Sequence, residues 1–187
     1  MSNSALREWL AEPRPALVAA VADGIREHVD TLKSRGIGYY GYAILPGELY
    51  EIHSLVAATN TEADIQVPRE NGQYLYYRFS VDEWAHYDQG GFEAANALLD
   101  QENTRFKSMH SKPEDDYMMD DLEVAHAEVL LESIIQGIEA AKTGGVFGAA
   151  DPFLVVWIPD SDDEVMERSV RRLNSAAVAT DFLSEFG

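Results

Sequence analysis

Residues 37–60 read IGYYGYAILPGELYEIHSLVAATN, and this stretch decides the fold class. Ile37, Tyr39, Tyr40, Tyr42, Ile44 and Leu45 have the β-branched and aromatic content of a strand. A second run, Leu49 to Thr59, returns with Ile52, Leu55 and Val56. Proline presets φ and glycine accepts positive φ, so Pro46-Gly47 predicts a tight reversal and an antiparallel pair.

Upstream, Ser4 is placed to cap a short helix carrying Leu6, Trp9 and Leu10, which Pro13 ends. Pro15 suits the first turn of the next helix, where Val18, Val21, Ile25, Val29 and Leu32 recur at helical spacing until Gly36. Its apolar stripe needs a surface, and the hairpin is the nearest one.

Downstream, Thr59-Asn60-Thr61-Glu62 has capping-box spacing and predicts a short helix to about Gln66. Asn71-Gly72 is a turn, and Tyr74 to Phe79 reads as a third strand with Leu75, Tyr77 and Phe79 on one face. Ser80-Val81-Asp82-Glu83 is a second box, with Phe79 and Trp84 as its hydrophobic staple. A helix is expected from Phe92 to about Phe106, then a loop from Lys107 to Lys112.

The longest helix is predicted from Pro113 to Lys142, striped by Met119, Leu122, His126, Leu130, Ile134 and Ile138 and stopped by Gly144-Gly145. Its first turns are acidic, as the helix dipole favours. Phe153 to Ile158 is a wholly apolar run, expected to be a central strand. Ser161-Asp162-Asp163-Glu164 opens a further helix, and Val178, Phe182 and Phe186 mark the last. The sum is a single α+β domain over 1–187, with a mainly antiparallel sheet of about four strands under packed helices.

Composition narrows the function classes. The 33 acidic residues against 14 Lys and Arg give a formal net charge of -19. Such a surface repels phosphate backbones and favours a basic protein partner over nucleic acid, although solubility alone also accounts for it. The absence of cysteine removes disulfides, thiolate metal sites and a cysteine nucleophile. The opening MSNSALREWLAEPRP has no basic region followed by an apolar run, and no apolar run is long enough to span a bilayer. A cytoplasmic protein without a membrane partner is expected.

Two constellations stand out. Eight of the nine tyrosines lie between Tyr39 and Tyr87. Sheet packing explains many of them, but an aromatic face beside carboxylates also suits a partner rich in Arg and Lys. Tyr40, Tyr42, Tyr74, Tyr76 and Trp84, with Asp115, Asp116 and Asp120, are the candidate contact residues. Separately, Glu83 with His86 and Glu123 with His126 form two Glu-x-x-His pairs of the kind that recur in di-iron sites on helix bundles. Glu83 already serves a capping box and His126 falls on an apolar stripe, so no metal or other cofactor is favoured. Gly144 to Gly148 follows a helix and precedes a strand, the reverse of a phosphate loop.

The blocks YYGYAIL, AATNTE, YYRFSVDEW and FEAANALL, in this order, resemble the bacterial family of unknown function catalogued as 4303. The likeness covers roughly residues 15 to 185 and implies an α+β fold with no established catalytic residues, so no site carries over. Small acidic α+β proteins are also similar in build to toxin-immunity domains. The leading expectation is a non-enzymatic interaction protein, regulatory or immunity-like, that binds a basic protein. The alternatives are a small metal-dependent enzyme using the two Glu-x-x-His pairs, and a small-molecule pocket between the Pro113 to Lys142 helix and the sheet.

Overall fold

A computed structural model describes residues 3–48, 51–110, 112, 118–161 and 164–187. The hairpin forms as expected: β1 (Gly41–Glu48) pairs antiparallel with β2 (Glu51–Asn60). Pro46-Gly47, however, is not the reversal. It lies inside β1 at a register irregularity, with Gly47 at φ +119 and pairing running on to Glu48 and Glu51; residues 49–50 lie outside the described ones.

The sheet order is β3-β2-β1-β4, with β3 (His86–Asp88) antiparallel to β2 and β4 (Phe153–Val156) parallel to β1. The apolar run at Phe153 is therefore an edge strand and not a central one. It stays buried because the next helix supplies the missing ladder. Leu154 N donates to Asn174 Oδ1 at 2.8 Å, Asn174 Nδ2 donates to Leu154 O at 2.7 Å, and Val156 N donates to Ser169 Oγ at 3.0 Å. Side chains thus satisfy the edge that a further strand would otherwise claim.

Helices cover both sheet faces. On one side lie α2 (Pro15–Ser34), α4 (Glu93–Met109) and α5 (Asp121–Thr143). Tyr42 points this way and meets His28 of α2. Its neighbour Gly41 points the other way, as strand alternation requires, and lies against Trp84. That second face is packed by Phe79 of α3 (Tyr74–Phe79), Phe153 and Phe182 of α7 (Ala176–Phe186). Between them α6 (Glu164–Leu173) flanks β4. The short α1 (Asn3–Leu10) adds a satellite cluster in which Leu6, Trp9 and Leu10 meet Phe106 and Leu122.

Several local expectations give way to longer-range ones. Tyr74 to Phe79 is a helix and not a strand: Leu75 and Phe79 are four apart and both turn to the core, a spacing that fits a helical face. Ser80 makes no side-chain cap, and a single 3-10 turn, Val81–Glu83, follows it. The box at Thr59 fails because β2 runs through Asn60; Thr61 Oγ1 instead donates to Asp64 Oδ2 at 2.5 Å. Ser4 lies within α1 and not at its cap, its hydroxyl on Glu8. α4 runs on to Met109 through part of the predicted loop. α5 starts at Asp121 and not at Pro113; residues 113–117 lie outside the described ones, as do Asp162 and Asp163 of the third box.

Candidate functional site

Where α4 ends and α5 begins, the two helices meet the hairpin end of β2 and leave a groove of about 490 Å³. Asp120 caps α5: its Oδ1 accepts from Leu122 N at 2.9 Å and Glu123 N at 3.0 Å. Glu123 completes the capping box, its Oε2 accepting from Asp120 N at 2.9 Å. Burial pushes the Asp120 carboxyl up, but those amides, with His110 and Lys112 nearby, outweigh it and hold the carboxyl below its ordinary value.

His110 caps the far end of α4, its backbone N donating to Phe106 O at 2.8 Å. Its Nε2 lies 2.9 Å from Asp120 Oδ2, yet out of alignment for a hydrogen bond, and has no solvent contact. Lys112 reaches in from the side, its ammonium 3.0 Å from Glu123 Oε2 and also donating to Met118 O.

Deeper in the groove, Asn103 Nδ2 donates to Ile52 O at 2.8 Å. That bond fixes the amide, so Asn103 Oδ1 is the acceptor facing His126 Nε2 at 3.0 Å, and Nε2 carries the proton. His126 is sandwiched between Phe106, at 4.3 Å and 2°, and Trp9, at 5.7 Å. It is only 6% exposed, and its Nδ1 lone pair has no partner among the described residues. Burial, helped by Arg14, lowers its pKa to about 4, so the imidazole is neutral.

The two Glu-x-x-His pairs do not converge. His86 pairs with Thr59 on β2 and contacts Asp64 at 3.1 Å, whereas His126 is tied through Asn103 to Ile52. Seven residues of strand separate those anchors, about 20 Å at the usual rise. Glu83 sits in the 3-10 turn beside His86. A shared four-residue metal centre is thereby removed, and the groove instead brings Glu123 to His110, a residue that reads as loop in the sequence. The signal lay in the spacing of elements: a histidine closing one helix opposite an acidic cap opening the next.

The aromatic candidates also divide. Tyr42 and Trp84 are core residues, 1% and 4% exposed. Burial pushes the Tyr42 hydroxyl well above its usual range. Tyr40 is half-buried, with Arg78 stacked 4.2 Å over its ring. Tyr74 donates to Glu62 Oε2 at 3.0 Å, and Tyr76 is exposed and stacked on Phe186 at 5.9 Å. Asp120 lies at the groove, and Asp115 and Asp116 fall outside the described residues.

These features define an α+β protein with helices on both sheet faces and one histidine-lined groove at a helix–helix junction. Residues 18–175 match the family model described as Domain of unknown function (DUF4303), and the chain belongs to that family. Comparisons with curated proteins and with solved structures found no match. Among the described residues no helix is long and apolar enough to cross a membrane.

Proposed function

We propose that the protein is a non-enzymatic binding module whose ligand site is the groove between α4, the start of α5 and the hairpin end of β2. The observation that carries this reading is His126: a buried, neutral imidazole with an unpartnered Nδ1, in a concavity where Asn103, His110, Lys112 and Glu123 converge. A buried polar atom without a partner costs on the order of 1–3 kcal/mol, and a bound small molecule can supply the partner. Met119 lines the groove and is 40% exposed, so Met119→Trp narrows it without disturbing the core. A metabolite library screened by thermal shift should yield compounds that raise Tm in the wild type and not in Met119→Trp. Compounds that stabilise both equally, or none that stabilise the wild type, would overturn the reading.

A second reading is an acidic interaction module, regulatory or immunity-like, that docks a basic protein in the bacterial cytoplasm and leaves nucleic acid aside. It is supported by the net charge and by the Tyr40–Tyr74–Glu62 patch, which already holds two guanidiniums, those of Arg69 and Arg78. Tyr76 and Asp120 border the accessible surface. Capture of a basic protein that salt releases and Tyr76→Ala weakens would support it. Capture indifferent to both salt and Tyr76→Ala would remove it.

A further inference from the structure

At the α4–α5 end of the groove, His110, Asp120 and Glu123 each offer a donor atom, and the three atoms lie within 4.8 Å of one another. Around a tetrahedral zinc ion neighbouring donors stand about 3.3 Å apart, so side-chain adjustments of about an ångström close the set. Helix ends hold all three: His110 closes α4, Asp120 caps α5, and Glu123 is the third residue of α5.

Capping explains only half of this chemistry. It uses Oδ1 of Asp120 and Oε2 of Glu123, leaving Asp120 Oδ2 turned to His110 and Glu123 Oε1 without a hydrogen bond among the described residues. It does not explain why His110 Nε2 is shut off from solvent against a carboxylate with no aligned hydrogen bond. Nor does it explain His126, more than nine-tenths buried in the same groove and one helical turn beyond Glu123, whose Nδ1 has no partner among the described residues. The protein's net charge of -19 raises the local concentration of cations.

We propose that His110, Asp120 and Glu123 form a divalent transition-metal site, with zinc the best match. Lys112 is the resident counter-charge that a metal ion displaces. One imidazole and two carboxylates with no thiolate favour a borderline ion over magnesium, which prefers oxygen and water alone. Three protein ligands leave a coordination position open toward the groove. This rests on the groove reading and gives it a chemistry: the ion anchors a ligand bearing a donor oxygen or nitrogen.

The test is calorimetric titration of untagged, chelator-stripped protein with zinc, and with magnesium as the contrast. Wild type should bind one zinc and no magnesium. His110→Ala, which removes no capping hydrogen bond because His110 caps α4 through its backbone N, should weaken zinc more than about ten-fold. Lys112→Ala should tighten it by about ten-fold, because a positive charge is removed beside the ion. Circular dichroism checks folding of each variant; should His110→Ala unfold, the visible bands of the cobalt-loaded wild type report the nitrogen and oxygen ligands directly. Zinc affinity unchanged in His110→Ala, or no zinc bound by either the wild type or Lys112→Ala, overturns the site. A thermal-shift hit that survives excess EDTA while zinc fails to bind would leave the groove reading standing and remove the metal. Zinc bound with no hit in the library would do the opposite.

Discussion

The two ends of β2 handle polar groups in opposite ways. At the Asn60 end each group closes on another. Asn60 Nδ2 donates to Tyr40 Oη at 3.0 Å, Tyr40 Oη donates to Arg78 O at 3.0 Å, and Asn60 Oδ1 accepts from Ala85 N at 3.3 Å. At the Ile52 end the chain of bonds runs from Ile52 O through Asn103 to His126 and stops at a bare Nδ1. Ile52, His126 and Asn60 are all buried, so desolvation alone does not separate the two networks. The difference is completeness. A closed network specifies the fold, whereas an open one costs stability and is worth keeping where something else completes it.

The comparison breaks if damage at the closed end proves mild. Trp84 is 4% exposed, packs edge-on against Tyr40 and Phe153, and lies so close to Gly41 that a Cβ there would be 2.5 Å from its ring. Trp84→Ala should cost about 3–5 kcal/mol and lower Tm by on the order of 10 °C, with zinc binding at the far groove unaltered in whatever fraction stays folded. Chemical denaturation and titration measure the two effects separately.

Acid should find the open end next. The folded pKa of His126 is about 4 and its unfolded value is 6.5. Between those values the unfolded chain holds a proton that the folded chain does not, so stability is full above about pH 6.5 and falls as pH drops toward 4. The loss from this residue is on the order of 3 kcal/mol. His28, whose pKa burial lowers despite Asp88, adds to the slope in the same direction. His126→Gln retains a donor for Asn103 and does not titrate, so its stability should fall less between pH 7 and 4. Identical acid profiles for the two proteins would mean that the imidazole is not neutral in the fold. Smaller again, Asn60→Ala leaves the Ala85 amide and the Tyr40 hydroxyl short of a partner and should cost about 1–3 kcal/mol by urea denaturation.

Much of the fold was legible where one local period ran long enough to be unambiguous. The stripe Val21, Ile25, Val29 and Leu32 after Pro15 predicts α2, and the hairpin predicts β1 and β2. Short segments were ambiguous because six residues satisfy two periods at once, as Tyr74 to Phe79 does. Capping boxes are also local, and a sheet register overrides them: Thr59 and Asn60 are claimed by Tyr42 and Gly41. The edge position of β4 was invisible because its outer amides are satisfied by Ser169 and Asn174, well downstream. The site followed the same rule. Glu123 and His126 were readable as a motif on one helix, but His110, Asn103 and Lys112 belong to the groove only through tertiary packing.

The smallest expected effect is the one that sharpens the comparison most. His86 and His126 sit in identical Glu-x-x-His spacings, yet His86 is exposed, pairs with Asp64 at 3.1 Å and lies at the closed end of β2. Its contact with Asp64 is solvent-exposed, and surface polar pairs of this kind contribute roughly 0–1 kcal/mol. His86→Ala should therefore change Tm by no more than a few degrees and leave zinc affinity within about two-fold of wild type, while His110→Ala loses more than about ten-fold. Equal losses from the two substitutions would mean that zinc binds histidines on the surface at large, and the distinction between a closed and an open end of β2 would carry no functional weight. Divergent losses would tie binding to the end where buried nitrogen was left unpaired, which sequence spacing alone cannot distinguish from its exposed counterpart.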